Sequence, residues 1–147
     1  MADFKGKNVM ITGATRGIGL ALAEEFAKAG ANLAVCGTRE DALAQAAKTL
    51  EAYGAKVYTQ KVNVADAKDC DSFVENAVKA LGGLDVLVNN AGLALGLEPE
   101  YEGDFTDWDT MIDTNIKGLL TMTRLIVPSM VARDCGHVIN IGSVAGD

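Results

Sequence analysis

The sequence predicts an α/β fold: a parallel sheet, doubly wound, with helices on both faces. Two observations carry this. Strand-length apolar runs alternate with helix-period segments along the whole chain. Between the first strand and the first helix lies a turn containing Gly13, Gly17 and Gly19. Residues without a Cβ adopt left-handed angles and admit a ligand close to the backbone, and a helix N-terminus facing such a turn suits a phosphate. Taken by itself, the turn also reads as an unliganded Gly-rich loop.

The first strand centres on Val9, Met10 and Ile11. Ile18 to Ala29 repeats apolar residues at helical spacing and stops at Gly30. Asn32 to Cys36 is a short apolar strand, and Arg39 to Tyr53 is an Ala-rich helix ending at Gly54. Lys56 to Val62 forms the third strand, and Ala67 to Leu81 the third helix, closed by Gly82 and Gly83. Leu84 to Asn89 is the fourth strand, around Val86, Leu87 and Val88. Leu93 to Asp104 reads as a surface loop over the ligand side. A long helix is expected from about Thr106 to Ala132. Its apolar residues, among them Ile112, Ile116, Leu120, Met122, Ile126 and Met130, spread over more than one face. The sheet would cover one face and a partner subunit the other. His137 to Ile141 is the fifth strand.

Such sheets, with right-handed crossovers, bind ligands beyond the C-terminal strand ends, where strand order reverses. The Gly turn follows strand one, Asn89 and Asn90 follow strand four, and Ser143 follows strand five. Topology alone therefore brings all three to one edge.

At 147 residues, 49% hydrophobic and 22% charged, the chain reads as one domain able to bury a core. A formal charge of −7 argues against nucleic acid and anionic membranes as partners, though not against a small anion in a local pocket. Cys36, Cys70 and Cys135 show no CxxC and no metal-like spacing, so no metal is expected. They read as buried apolar fillers in a reduced, cytoplasmic chain. Neither a secretory signal nor a membrane-length apolar run is recognisable, and His137 reads as structural.

Four motifs point further: Thr12-Gly13-Ala14-Thr15-Arg16-Gly17-Ile18-Gly19, Asn89-Asn90-Ala91-Gly92, Asn115 in the long helix, and Ser143 after strand five. On these the chain resembles the short-chain dehydrogenases/reductases, with their TGxxxGIG cofactor turn, NNAG element, helix Asn and substrate-orienting Ser. The resemblance implies a Rossmann-type dinucleotide-binding domain over residues 1–147, five strands in order 3-2-1-4-5, truncated relative to the full family fold. It implies hydride transfer between a nicotinamide and a small hydroxy or oxo substrate of the 3-hydroxy acid, 3-oxoacyl or polyol class. Ser143 would hydrogen-bond the substrate oxygen, and Asn115 would hold a water in a proton relay. A strand-terminating Ser and a buried helix Asn are the plainer alternatives. The family's Tyr and Lys, one helical turn apart after strand five, have no counterpart here, since Tyr101 and Lys117 fall in other elements. The chain is therefore expected to be inactive alone. A binding module without chemistry, or a fragment pairing with another chain, remain open as readings.

NAD enzymes of this fold place a carboxylate at the end of strand two. Here Gly37 stands there, followed by Thr38 and Arg39. Arg16 and Arg39 both read as able to reach a ribose 2′-phosphate, a bond worth on the order of 10- to 100-fold in affinity. NADP(H) is thus expected over NAD(H), the alternative being two solvated surface arginines. The resemblance adds Gly13, Thr15, Gly17, Ile18 and Gly19 in the turn, and Thr38, Asn63, Val64, Asn90, Ala91 and Gly92 at later strand ends, as cofactor contacts. Asn63 stands where the family usually has an Asp contacting adenine, and its amide can accept or donate. It also reads as a plain loop residue, Gly92 as an unliganded turn glycine, and Asn89 as a strand brace. Glu40 and Asp41 read as first-turn helix charges rather than ribose ligands. A homo-oligomer through the helix of about 106–132 is the expected assembly.

Overall fold

The computed structural model describes residues 3–92 and 103–142. Five parallel strands lie in the order β3-β2-β1-β4-β5, with β1 at Asn8–Thr12, β2 at Asn32–Gly37, β3 at Val57–Lys61, β4 at Val86–Asn89 and β5 at His137–Asn140. This is the expected doubly wound order. The crossovers are α1 (Gly17–Lys28), α2 (Glu40–Glu51), α3 (Ala67–Leu81) and a long helix described below. Met10 pairs with Ala34 on one side and Leu87 on the other, which makes β1 the centre of the sheet.

Because side chains alternate across a strand, each strand feeds two cores. Val9, Ile11, Leu33, Val35, Val86 and Val88 pack with Ala23, Phe26, Leu43 and Leu50 of α1 and α2. Met10, Ala34, Cys36 and Leu87 face the other way, against Phe73 and Ala77 of α3 and Met122, Ile126 and Met130 of the long helix. Both faces of the central strands are therefore dry, which is why they read as continuous apolar runs. Polar residues clasp the strand ends away from the Gly turn. Asn8 Nδ2 donates to the Leu81 carbonyl at 3.0 Å, its backbone N–H donates to Asp85 at 2.8 Å, and its Oδ1 accepts from Asn32.

The long helix is three segments in one run: α4 (Phe105–Ile112), a wider π turn (Asp113–Lys117) and α5 (Gly118–Arg133). Sequence spacing anticipated its length but not the π turn. Gly118, Met122, Ile126 and Met130, at intervals of four, form its buried stripe. A Cβ on Gly118 would press on the Val64 carbonyl at 2.9 Å, so glycine lets the helix approach the strand-three loop closely. Among the described residues only that face is covered. Ile112, Ile116 and Leu120 are 44%, 55% and 59% exposed, and every residue of β5 is exposed. Cys36 and Cys70 are buried as expected, whereas Cys135 is exposed in the turn after α5. That correction has a physical cause: the turn leads to a strand whose residues are all exposed. Most of the loop expected over the ligand side lies outside the described residues.

Candidate functional site

The C-terminal ends of β1, β2, β3 and β4 enclose one cleft of ≈ 480 Å³. Its lining includes Gly13, Thr15, Arg16, Gly17 and Ile18 from the Gly turn, and Gly37 and Thr38 from the end of β2. Asn63 and Val64 follow β3, Asn90, Ala91 and Gly92 follow β4, and Thr114 comes from the π turn. Eleven of these thirteen residues were singled out from sequence as site residues, and Gly37 as the strand-two position. Thr114 was not, and neither were Cys36 and Val62, which complete the wall.

The turn takes its shape from three glycines used in different ways. Gly13 and Gly17 sit at φ +67° and +57°, the left-handed region that a Cβ disfavours. A Cβ on Gly17 would meet nothing within 4 Å, so the turn is open to the cleft there. Gly19 departs from the sequence expectation, because it is already inside α1 and its angles are not left-handed. Its role is steric: a Cβ would collide with the Gly13 carbonyl and the Asn90 amide. Those two groups are themselves bonded, Asn90 Nδ2 donating to Gly13 O at 2.9 Å.

Thr12 locks the turn to the strand-four loop. Its hydroxyl oxygen accepts the backbone N–H groups of Asn90, at 3.0 Å, and Ala91, at 2.9 Å. The acceptor residue is 2% exposed and the two donors are half-buried at the edge of the cleft. Asn89 is the brace that sequence allowed for. Its Nδ2 donates to Asn140 Oδ1 at 3.0 Å, across to β5, and to Thr123 Oγ1 at 3.3 Å on α5.

At the mouth of the cleft the charges are asymmetric. Arg16, exposed, is the only charged residue among the described lining residues. It is also the N-cap of α1, whose first turn has no acidic residue and no side-chain cap. The α1 amides therefore face the turn uncompensated, a positive end suited to an anion. Gly37 is buried, and a Cβ there would fall 2.7 Å from Thr15 Cγ2. A carboxylate at this position would require Thr15 to move. Arg39 differs from what the sequence suggested. It does not line the cleft, and its Nη2 lies 2.7 Å from Asp41 Oδ2 on the surface of α2. That bond holds the Asp41 carboxyl below the usual carboxylate range.

Asn63 Oδ1 accepts the Ala65 N–H at 3.0 Å, a local turn that commits the oxygen and leaves the NH₂ as the group to offer a ligand. Asn115 is exposed rather than buried, in the π turn, with its Oδ1 beside Gly92. Cys36 lies in the wall with its thiol pushed up to about 12 by burial, which keeps it protonated and unreactive. Ser143 lies outside the described residues. Among the described residues no group of His, Cys, Asp and Glu is arranged to hold a metal. Nor, among the described residues, is any helix long and apolar enough to cross a membrane.

Comparison with known proteins places this geometry. The family model described as short chain dehydrogenase matches residues 7–147. An NADP-dependent 3-hydroxy acid dehydrogenase, YdfG, from Salmonella typhi is 45% identical over 138 residues, covering 94% of this chain and 54% of that protein. The crystal structure of serine dehydrogenase from Escherichia coli superposes with a TM-score of 0.86 at 40% identity, covering 95% of this chain and 63% of that one. A short-chain dehydrogenase/reductase from Burkholderia phymatum in complex with NAD gives 0.93 at 34%, covering 99% and 52%. The chain spans about half the length of the curated relatives it matches.

Proposed function

This chain belongs to the short-chain dehydrogenase family, and from that premise we propose that the cleft at the Gly turn binds NADP(H) for a dehydrogenase or reductase of small hydroxy or oxo compounds. The observation that carries the proposal is the charge pattern of the cleft. Arg16 and the uncapped α1 N-terminus are its cationic features, and no carboxylate occurs among its described lining residues.

The residues present fit such a cofactor. Gly17 leaves open space where a phosphate would meet the backbone, and a Cβ on Gly13 would instead press on Ala91 Cα at 2.9 Å. In the proposal Gly13, Thr15, Gly17 and Ile18 hold the pyrophosphate, and Gly19 keeps the turn closed beneath it. Arg16 and Thr38 face the 2′-phosphate side, and Arg39 joins them on leaving Asp41. Asn63 and Val64 flank the adenine, while Asn90, Ala91 and Gly92 flank the ribose. Cys36 and Val62 add apolar wall. When bound, the nicotinamide supplies or accepts a hydride at a carbon bearing oxygen. Ser143 is proposed to orient the substrate oxygen and Asn115 to hold a water for the proton. No Tyr and Lys one turn apart follow β5 within the 147 residues, so these residues by themselves are expected to bind cofactor without turning over substrate.

The substrate class proposed is a small hydroxy acid or its oxo counterpart, as supported by the relatives named for 3-hydroxy acids and serine. The setting proposed is the cytoplasm. Assembly is proposed through the exposed stripe Ile112, Ile116 and Leu120, one helical turn apart, which gives a second copy an apolar face to cover. A second reading, pairing with another chain, is favoured by β5, whose outer edge pairs with no strand among the described residues and whose residues are all exposed.

Arg16→Ala tests the cofactor reading. It should weaken NADPH binding about 10- to 100-fold and leave NADH binding nearly unchanged. An equal loss for both, or no loss, would show that Arg16 does not read a 2′-phosphate.

A further inference from the structure

From sequence, Arg16 and Arg39 looked equivalent, but the structure separates them. Arg16 lines the cleft and makes no ion pair among the described residues. Arg39 follows Thr38, which does line the cleft, yet its guanidinium is turned to Asp41, Nη2 to Oδ2 2.7 Å. Asp41 is in the first turn of α2, and the two side chains are 73% and 70% exposed. A guanidinium uses the same N–H edges for a carboxylate as for a phosphate. An Arg39 bonded to Asp41 must release or share those donors before it can take up a 2′-phosphate.

We propose that Asp41 is a positioning residue that sets cofactor selectivity by competing with the 2′-phosphate for the Arg39 guanidinium. The inference rests on reading the cleft as an NADP(H) site. NADH carries no 2′-phosphate, so the Arg39–Asp41 pair need not open when it binds. Asp41 therefore lowers the affinity for NADPH alone and narrows the preference that Arg16 creates. The pair is in solvent, where such contacts are weak, so the competition amounts to about two- to fivefold in affinity. Glu40 provides an internal control. It sits in the same first turn with the same charge, and makes no ion pair among the described residues.

The test is a set of fluorescence titrations of the full chain with NADPH and with NADH at about 0.1 M salt, where exposed charges beyond ~10 Å are screened. Asp41→Asn should tighten NADPH about two- to fivefold and leave NADH unchanged. Glu40→Gln should move neither. In an Arg39→Ala background, adding Asp41→Asn should have no effect, which separates action through Arg39 from direct repulsion of the phosphate. No tightening in Asp41→Asn overturns the proposal, as does the same tightening with Arg39 absent. The underlying reading fails separately: if NADPH does not bind, or binds no better than NADH and is indifferent to Arg16→Ala, the NADP(H) site itself is refuted. If Arg16→Ala costs affinity while Asp41→Asn changes nothing, only the role of Asp41 falls.

Discussion

Replacing Thr12 by valine should reveal what holds the two walls of the cleft together. The residues are nearly isosteric, so the change removes a hydroxyl and leaves the packing at a site that is 2% exposed. Two backbone donors, Asn90 N–H and Ala91 N–H, then lose their acceptor at 3.0 and 2.9 Å. A buried donor left unpaired costs about 1–3 kcal/mol. Two of them, with some relief as the loop relaxes toward the cleft, give about 2–4 kcal/mol. In a domain of this size that lowers Tm by roughly 6–12 °C. Urea unfolding followed by circular dichroism should show a lower midpoint with an unchanged slope, the sign of lost stability rather than an altered unfolded state. Thr12→Ser keeps the acceptor and loses one methyl group, and should cost only about 1 kcal/mol. A Thr12→Val chain within about 0.5 kcal/mol of the parent, or one more stable than Thr12→Ser, would refute the assignment of the hydroxyl as the lock.

Three further outcomes are expected. Gly19→Ala, which collides with the Gly13 carbonyl and the Asn90 amide, should destabilise by about 1–3 kcal/mol and weaken NADPH binding. Gly17→Ala meets no protein atom but must hold φ +57°, about 1–2 kcal/mol, and puts its methyl in the space proposed for the phosphate, so it too should weaken NADPH binding; undiminished binding in Gly17→Ala would contradict the phosphate's place at the turn. Iodoacetamide at pH 8 should modify Cys135 readily in the native chain. Cys36 and Cys70, held up at about 12 and about 11 by burial, should react only after unfolding; mass spectrometry that found native Cys36 alkylated at the rate of Cys135 would contradict the buried wall. Ile116→Glu, at a 55% exposed position, should shift the assembly toward monomer in light scattering without loss of helix content, and an unchanged mass would remove the helix face as the interface.

The sheet was legible because parallel strands buried on both faces are written as plain apolar runs. Val86-Leu87-Val88 and Val9-Met10-Ile11 needed no context to be read. The cleft was legible because its residues cluster at β-strand ends, and topology fixes which ends meet. What sequence could not supply was how side chains use their bonds. Arg39 turns to Asp41, a carboxylate two residues away, and a motif position does not tell which partner a long side chain takes. Gly19 reads as one more flexible glycine, although its constraint is the Gly13 carbonyl lying against it. Thr12 was visible only as a letter in a motif, since its two backbone partners lie 78 and 79 residues away. Thr114 joined the wall because the π turn widens the helix where it meets the cleft, and neighbouring residues carry no periodic signal for that widening. The covered and uncovered faces of the long helix were also indistinguishable in sequence, as both are apolar.

Direct titration of the unaltered chain with NADPH and with NADH, followed by the enhancement of reduced-nicotinamide fluorescence, tests the central claim. A cationic cleft edge with Arg16 in its lining and no carboxylate among its described residues predicts saturable binding of both, with NADPH tighter by about tenfold or more. Equal affinities would contradict the reading of Arg16 as a 2′-phosphate contact, and failure to bind either would contradict the cleft as a dinucleotide site.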